Sequence, residues 1–159
     1  MYARDHALIA TPIGLIAVEG DETAITGVRI GVEGTVTPGA SPAVRAAAEQ
    51  LEQWFAGERR SFDVPFAPAV TPRGETLRAG LIAVGYGETL SYGALAQRLG
   101  SSARAIGQLC ARNPFPLLVP CHRVLGSGGA LGAYSAGNGS TTKAWLLDHE
   151  RRFSGETLL

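Results

Sequence analysis

The sequence is poor in the residues from which sites are usually read. Its 159 residues include two cysteines, Cys110 and Cys121, and three histidines, His6, His122 and His149. No Cys-x-x-Cys or His-x-x-x-His pair occurs, so the common zinc-ligand spacings are missing and no metal is expected. Two cysteines without a secretory leader are weak grounds for a disulfide. No apolar run reaches the roughly 18 residues that a bilayer span requires. The opening residues, Met1-Tyr2-Ala3-Arg4-Asp5-His6, lack the basic start and apolar core of a signal peptide. Charged residues are only 18% and hydrophobic ones 45%. The expectation is a cytoplasmic globular protein, without membrane association or cofactor, long enough to bury one medium core or two small ones.

The net charge of zero conceals an asymmetry. Residues 1–70 hold five Arg against nine Asp and Glu; residues 71–159 hold eight Arg and Lys143 against five Asp and Glu. The two parts therefore carry −4 and +4. A basic second part permits a polyanion partner there, although an uneven scatter of surface charge has the same signature.

The first part reads as a small α/β unit. Short apolar runs at 8–12, 15–18 and 25–30, broken by Gly14 and Gly20, have the length and punctuation of strands. Ser41-Pro42 opens a helix whose apolar face is Val44, Ala48, Leu51 and Phe55, and Gly57 can end it. Pro65, Pro68 and Pro72 punctuate a featureless stretch, and the domain boundary is placed there.

The second part is helical. Thr71-Pro72 caps a helix with an apolar stripe of Leu77, Leu81 and Val84. Ser91 caps a helix over 92–99 that Gly100 stops; Ser101 or Ser102 caps another over 103–112, stopped by Asn113-Pro114. Helix, three-residue turn, helix is the spacing of a helix-turn-helix, and also of ordinary core packing. The second of these helices carries Ala105, Gly107 and Ala111 where a major-groove reader would carry long polar side chains. Such a smooth face suits close approach either to a groove or to a neighbouring helix. The run 115–120 is expected to be extended and buried, leading into Cys121. A loop with six glycines follows over 126–139, and Thr141 or Thr142 is expected to cap a last helix running to Glu150.

Cys121 follows that buried run and precedes His122. A nearby base favours the reactive thiolate, whereas a lone cysteine is more often a small core residue. Neighbours on a regular strand point to opposite faces, but Pro120 argues for an irregular backbone, which leaves direct contact or a one-water relay open. These residues alone do not choose between nucleophile and core.

The longer context is more specific. Pro120-Cys121-His122-Arg123-Val124 resembles the signature of the O6-alkylguanine-DNA alkyltransferases, the methylated-DNA–protein-cysteine methyltransferases. In the family's order stand Tyr86-Gly87-Glu88-Thr89-Leu90-Ser91-Tyr92, Arg104-Ala105-Ile106-Gly107, Arg112-Asn113-Pro114, Tyr134-Ser135 and Lys143-Ala144-Trp145-Leu146-Leu147-Asp148-His149-Glu150. The match is strong over roughly residues 70–152 and looser around Thr11-Pro12-Ile13-Gly14. The resemblance implies a small N-terminal α/β domain, residues 1–68, with ribonuclease H-like strands plus a helix. A mostly helical winged helix-turn-helix domain, residues 69–159, would follow.

The resemblance further implies that Cys121 accepts an alkyl group from O6-alkylguanine in duplex DNA, irreversibly and once per molecule. His122 would take the thiol proton through a water, Glu150 would orient His122, and Asn113 would brace the turn. Arg104 would enter the base stack, with Ala105 and Gly107 against the minor groove. Tyr92 would press on the phosphate, Tyr134 would wall the pocket and bond the base, and Ser135 would hold its O6 edge. The protein would act as a monomer in solution. Three other readings compete: a damage sensor without transfer, a Cys-His hydrolase, and a DNA-binding module with a core cysteine. Sensors of this kind lack the acceptor that Cys121 supplies. A hydrolase needs an oxyanion site and a peptide or ester pocket that nothing in the sequence suggests.

Three departures from the family stand out. The loop over 135–142 looks about two residues longer, with Ala136 where glycine is common, so the range of alkyl groups is open. Arg73 and Arg78 replace frequent aromatic residues, which bears on packing between the domains. No N-terminal cysteine is present for the zinc cluster of some relatives.

Overall fold

The computed structural model describes residues 4–154. The chain divides into two compact units, one ending at Ala67 and the other beginning at Pro68. The architecture is mixed α/β. Among the described residues no helix is long and apolar enough to cross a membrane.

In the first unit, strands β1 (Asp5–Thr11), β2 (Gly14–Gly20) and β3 (Ile25–Val32) form an antiparallel sheet in sequence order. Thr11 to Gly14 makes the first turn, with the Thr11 hydroxyl donating to the Gly14 carbonyl at 2.6 Å. The register opposes Ile9 to Ile16 and Val18 to Val28, so the apolar runs share one buried face. Helix α1 (Pro42–Phe55) covers that face with Val44, Ala47, Ala48, Leu51 and Trp54. It begins as expected, with Pro42 in its first turn and the Ser41 hydroxyl accepting from the Val44 amide.

The second unit is built from helices and turns. Helix α2 (Pro72–Ile82) is capped by Thr71; α3 (Tyr92–Leu99) by Ser91; α4 (Ala103–Ala111) by Ser102. Gly100 ends α3 in the left-handed conformation, and Gly100-Ser101-Ser102 is the whole turn between α3 and α4. Leu95, Ala96, Ile106 and Cys110 bury the inner faces of this pair. Two-residue strands β4 (Leu90–Ser91) and β5 (Val124–Leu125) pair in parallel, which anchors the start of α3 beside the chain leaving Cys121. Helix α5 (Ser140–Arg152) closes the unit with Leu146, Leu147, Lys143 and Glu150 turned inward.

Two expectations are corrected. The run 115–120 is buried but not extended. The Val119 amide bonds back to the Phe115 carbonyl at 2.9 Å, and Leu117 sits at φ 77° in a folded turn. A buried leucine holds that left-handed conformation only where its neighbours over-determine it; Leu117 is 1% exposed between Pro116 and Leu118. Second, neither Thr141 nor Thr142 caps α5. Gly139 is its N-cap, without a side-chain bond, and the Thr142 hydroxyl instead accepts from the Asn138 amide at 2.8 Å, which ties the loop to the first turn.

Candidate active site

Cys121 opens a 3₁₀ turn, Cys121–Arg123. Pro120, at φ −83° and ψ 61°, is the centre of an inverse γ-turn in which the Cys121 amide bonds to the Val119 carbonyl at 2.8 Å. The backbone is irregular here, as Pro120 implied. Asn113, just past α4, organises what lies around it. Its side-chain oxygen accepts from the Phe115 amide at 2.9 Å, and its Nδ2 donates to the Val119 carbonyl at 2.9 Å and to the Cys121 sulfur at 3.2 Å. One side chain thus fixes both ends of the Leu117 turn and places a donor on the thiol.

His122 is fully buried, and its Nε2 lies 2.9 Å from Glu150 Oε2. Arg123 forms a fork on the same carboxylate, with Nη2 at 2.8 Å from Oε2 and Nε at 2.9 Å from Oε1, and its Nη1 donates to the Val84 carbonyl at 2.6 Å. Burial alone would raise the Glu150 carboxyl, but hydrogen bonds and charge from His122 and Arg123 outweigh it and hold it at about 2. Burial pushes the His122 imidazole below its usual range against the pull of Glu150, so it is neutral at neutral pH. An ionised Glu150 accepts the proton on Nε2. The lone pair is then on Nδ1, which has no hydrogen-bond partner among the described residues.

The Cys121 sulfur closes a cavity of about 140 Å³ lined by Tyr92, Gly107, Cys110, Ala133, Tyr134 and Ser135. The volume is below the several hundred Å³ of ordinary ligand pockets, so only a small group fits. The Tyr134 hydroxyl is buried without a partner, and burial keeps it protonated. Lys143 is fully buried; its Nζ donates to the Val124 carbonyl at 2.6 Å and the Ala133 carbonyl at 3.3 Å, and lies 5.8 Å from the Tyr92 ring centroid. Burial lowers its pKa, with the cysteine pair opposing. The Cys121 thiol is itself lowered. The neighbouring Cys110 thiol is the largest cause; burial opposes it, and the Asn113 amide and the Lys143 charge reinforce it. A larger groove, about 480 Å³, runs between residues 68–78 and the far side of α4 and contains neither cysteine.

The structure therefore brings together two adjoining hydrogen-bonded sets, Asn113 with Cys121 and Glu150 with His122, and sets Tyr92, Gly107, Tyr134 and Ser135 around the cavity that Cys121 lines. Arg104 and Ala105 lie outside it on the first turn of α4, Arg104 exposed and Ala105 lining the larger groove. Among the described residues no cluster of three or more His, Cys, Asp or Glu could hold a metal ion.

Residues 75–152 match the family model described as the DNA-binding domain of 6-O-methylguanine DNA methyltransferase. The methylated-DNA–protein-cysteine methyltransferase of Methanosarcina acetivorans is 38% identical, over 83% of this chain and 90% of that protein. The constitutive enzyme of Bacillus subtilis is 36% identical, over 89% and 92%. The chain belongs to the methylated-DNA–protein-cysteine methyltransferase family. Among solved structures, the O6-methylguanine methyltransferase of Mycobacterium tuberculosis superposes with a TM-score of 0.80 at 33% identity, covering 97% of this chain and 96% of that one. The structure of that organism's OGT in complex with DNA has a TM-score of 0.79 at 35% identity, covering 93% of each chain.

Three residues of this methyltransferase family site escaped the sequence reading. Arg123 and Lys143 stand inside quoted motifs, but nothing in their spacing told that both are buried and paired. Cys110 stands in the expected helix over 103–112 without a role. Arg73 and Arg78 both find partners within the second unit: Arg73 donates to the Gly100 carbonyl at 3.1 Å, and the Arg78 guanidinium lies 5.2 Å from the Phe115 ring centroid.

The Glu150 network sets an expected acid sensitivity. A carboxyl held near 2 against a usual 4.5 contributes stability that is present above pH 4.5 and lost as pH falls toward 2. His122, held below its usual 6.5, adds to this: the unfolded chain takes up its proton first as pH falls. Glu150→Gln leaves Arg123 buried without its counter-charge and is expected to cost on the order of 3 kcal/mol at pH 7. Urea unfolding across pH 7 to 3 checks both. The variant should start lower and fall less steeply below pH 4.5; parallel curves would remove the ion pair from the explanation.

Proposed function

We propose that this protein repairs O6-alkylguanine in double-stranded DNA by moving the alkyl group onto Cys121 and is consumed in doing so. The observation that carries this reading is the Cys121 sulfur at the floor of a small cavity, with an amide donor on it and a neutral, carboxylate-bonded imidazole next in the chain. The Cys121 thiolate attacks the alkyl carbon, a C–S bond forms, the C–O6 bond breaks, and its electron pair leaves on the guanine oxygen. His122 Nδ1, left with its lone pair, takes the thiol proton through one water. The Tyr134 hydroxyl, a buried donor without a partner, supplies a hydrogen bond to the departing base, and Ser135 holds the O6 edge. The product is a thioether that simple hydrolysis does not reverse, so one chain serves once.

The base must leave the duplex to reach the cavity. In this reading α4 lies along the minor groove, Arg104 enters the stack in place of the extruded nucleotide, Ala105 and Gly107 allow the close approach, and Tyr92 presses on the phosphate. Gly107 supports the idea independently. A Cβ added there meets nothing within 4 Å, so the fold does not require a glycine, although glycine inside a helix costs about 1 kcal/mol. Residues 69–159 would carry both DNA binding and transfer, in a monomer. Sensing without transfer is not favoured, because the acceptor is present.

Intact mass after mixing with excess O6-methylguanine duplex is the primary test. A gain of one methyl, mapped to Cys121 and stopping there, is expected; Cys121→Ala should bind the duplex and gain nothing. Tight binding with unchanged wild-type mass would indicate a sensor. Two substitutions test the α4 assignment. Arg104→Ala should slow repair in duplex at least tenfold more than reaction with free O6-benzylguanine. Gly107→Ala should raise stability by up to about 1 kcal/mol yet weaken duplex repair. Equal losses on both substrates for Arg104→Ala, or undiminished duplex repair for Gly107→Ala, would take α4 off the DNA.

A further inference from the structure

We propose that the groove on the flank of α4 away from the cavity holds the sugar-phosphate backbone of the undamaged strand, with Arg112 and Arg73 on its phosphates. This rests on the reading of the second unit as the part that receives duplex DNA, and it adds which strand lies where. The groove encloses about 480 Å³ between residues 68–78 and α4. Every charged side chain that lines it is an arginine: Arg73, Arg78 and Arg112. Arg112 is exposed at the end of α4 and takes part in none of the ion pairs among the described residues. Arg73 is also exposed, and one of its guanidinium donors goes to the Gly100 carbonyl at 3.1 Å, which ties the side chain to the turn between α3 and α4. Arg78 lies 5.2 Å from the Phe115 ring centroid and 3.7 Å from the Glu75 carboxylate, so it belongs to the wall. Glu75 also accepts from the Ala69 amide.

The two faces of α4 decide the strand. An α-helix turns about 100° per residue. Gly107 and Cys110, which line the cavity, therefore lie roughly 60° and 120° to one side of Arg104. Ala105 and Leu109, which line the groove, lie roughly 100° and 140° to the other. The exposed surface between them carries Arg104 and Gln108. A minor groove is only about 6 Å wide and a helix about 10 Å across, so a helix laid on it meets a phosphate backbone on each flank. The strand whose base enters the cavity occupies the cavity flank, and the other backbone falls on the groove. Leu77, Leu109 and Pro114 offer the deoxyribose rings an apolar floor, and the arginines offer the phosphates a counter-charge. An acidic peptide would find the same arginines, but the duplex already occupies the adjoining face of α4 in this reading.

The test is binding of an O6-methylguanine duplex as a function of salt, with Cys121→Ala protein so that nothing is consumed. Each phosphate contact contributes about 0.9 to the slope of log affinity against log salt. Arg112→Ala should make that slope shallower by about one, and Arg112→Lys should restore it. Neutral methylphosphonates in the undamaged strand opposite the lesion should weaken binding and flatten the slope when Arg112 is present, and by about one contact less in Arg112→Ala. The same replacements in the damaged strand should affect both proteins equally. Should Cys121→Ala fail to fold, the second-order rate of methyl transfer by protein with Cys121 intact, read as intact mass over the same salts and duplexes, gives the same comparison.

An unmoved slope for Arg112→Ala would overturn the proposal and leave the groove to an acidic peptide. Coupling of Arg112 to methylphosphonates in the damaged strand would overturn it as well. Protein that binds the duplex but takes up no methyl group would overturn the acceptor reading alone, and the salt slopes would still decide the groove. No binding to the duplex at all would overturn both.

Discussion

Glu150 lies in the last turns of α5 with both carboxylate oxygens engaged. It accepts from His122 and from the Arg123 fork, and its Oε1 lies 3.4 Å from the Gly87 amide. Arg123 carries the connection on to the carbonyl of Val84, just past α2. One buried charge thus joins the final helix, the turn that bears Cys121 and the segment leading into α3. The burial of Glu150 and Arg123 is tolerable because the two charges are paired and hydrogen-bonded to each other. The same bonding assigns the proton on His122, since a carboxylate on Nε2 leaves the lone pair on Nδ1. Structural support and the tautomer of His122 are set by one interaction.

A second constraint acts on the other side of the thiol. Asn113 holds the turn at 115–119 through backbone contacts, and that turn includes Leu117 in a conformation costly for a leucine. Buried packing around Phe115, Leu118 and Val119 retains it. The reward is local: the chain reverses tightly enough for Pro120 to direct Cys121 back toward Asn113. An extended strand over the same residues would give the sulfur a different face and no amide donor.

How far the sequence discloses this arrangement depends on the range of the interaction involved. Ser41, Thr71, Ser91 and Ser102 each cap the helix that follows, because a cap bond spans three residues and is written locally. The alternation of Ile9, Ile16 and Val18 with Gly14 and Gly20 gives the strands for the same reason. Thr142 misleads because its hydroxyl finds the Asn138 amide before α5 begins, a competition between two local bonds that composition does not resolve. The folded turn at 115–119 is hidden, since an apolar run with two prolines fits a buried strand as well. Arg123 and Lys143 take their meaning from partners 27 and 19 residues away. Only the assembled unit brings those together; a motif could mark the positions but not the contacts.

The face of α4 poses a last question, because it has two sides with different needs. Ile106 and Cys110 are buried, so the inner side is ordinary core. Arg104 is exposed, and Gly107, which lines the cavity with Cys110, has open space where a Cβ would stand. Internal packing does not ask for a glycine there, and helix propensity argues against one. A large, uncharged reader surface would bury poorly and read sequence; a small one permits close contact with a backbone or groove of any sequence. In the proposed reading selectivity comes from the cavity beside α4, where a thiol and an unpartnered tyrosine hydroxyl share about 140 Å³ of space. Small residues on α4 and a confined, mostly apolar pocket beside it are complementary halves of the proposed recognition of damage rather than sequence.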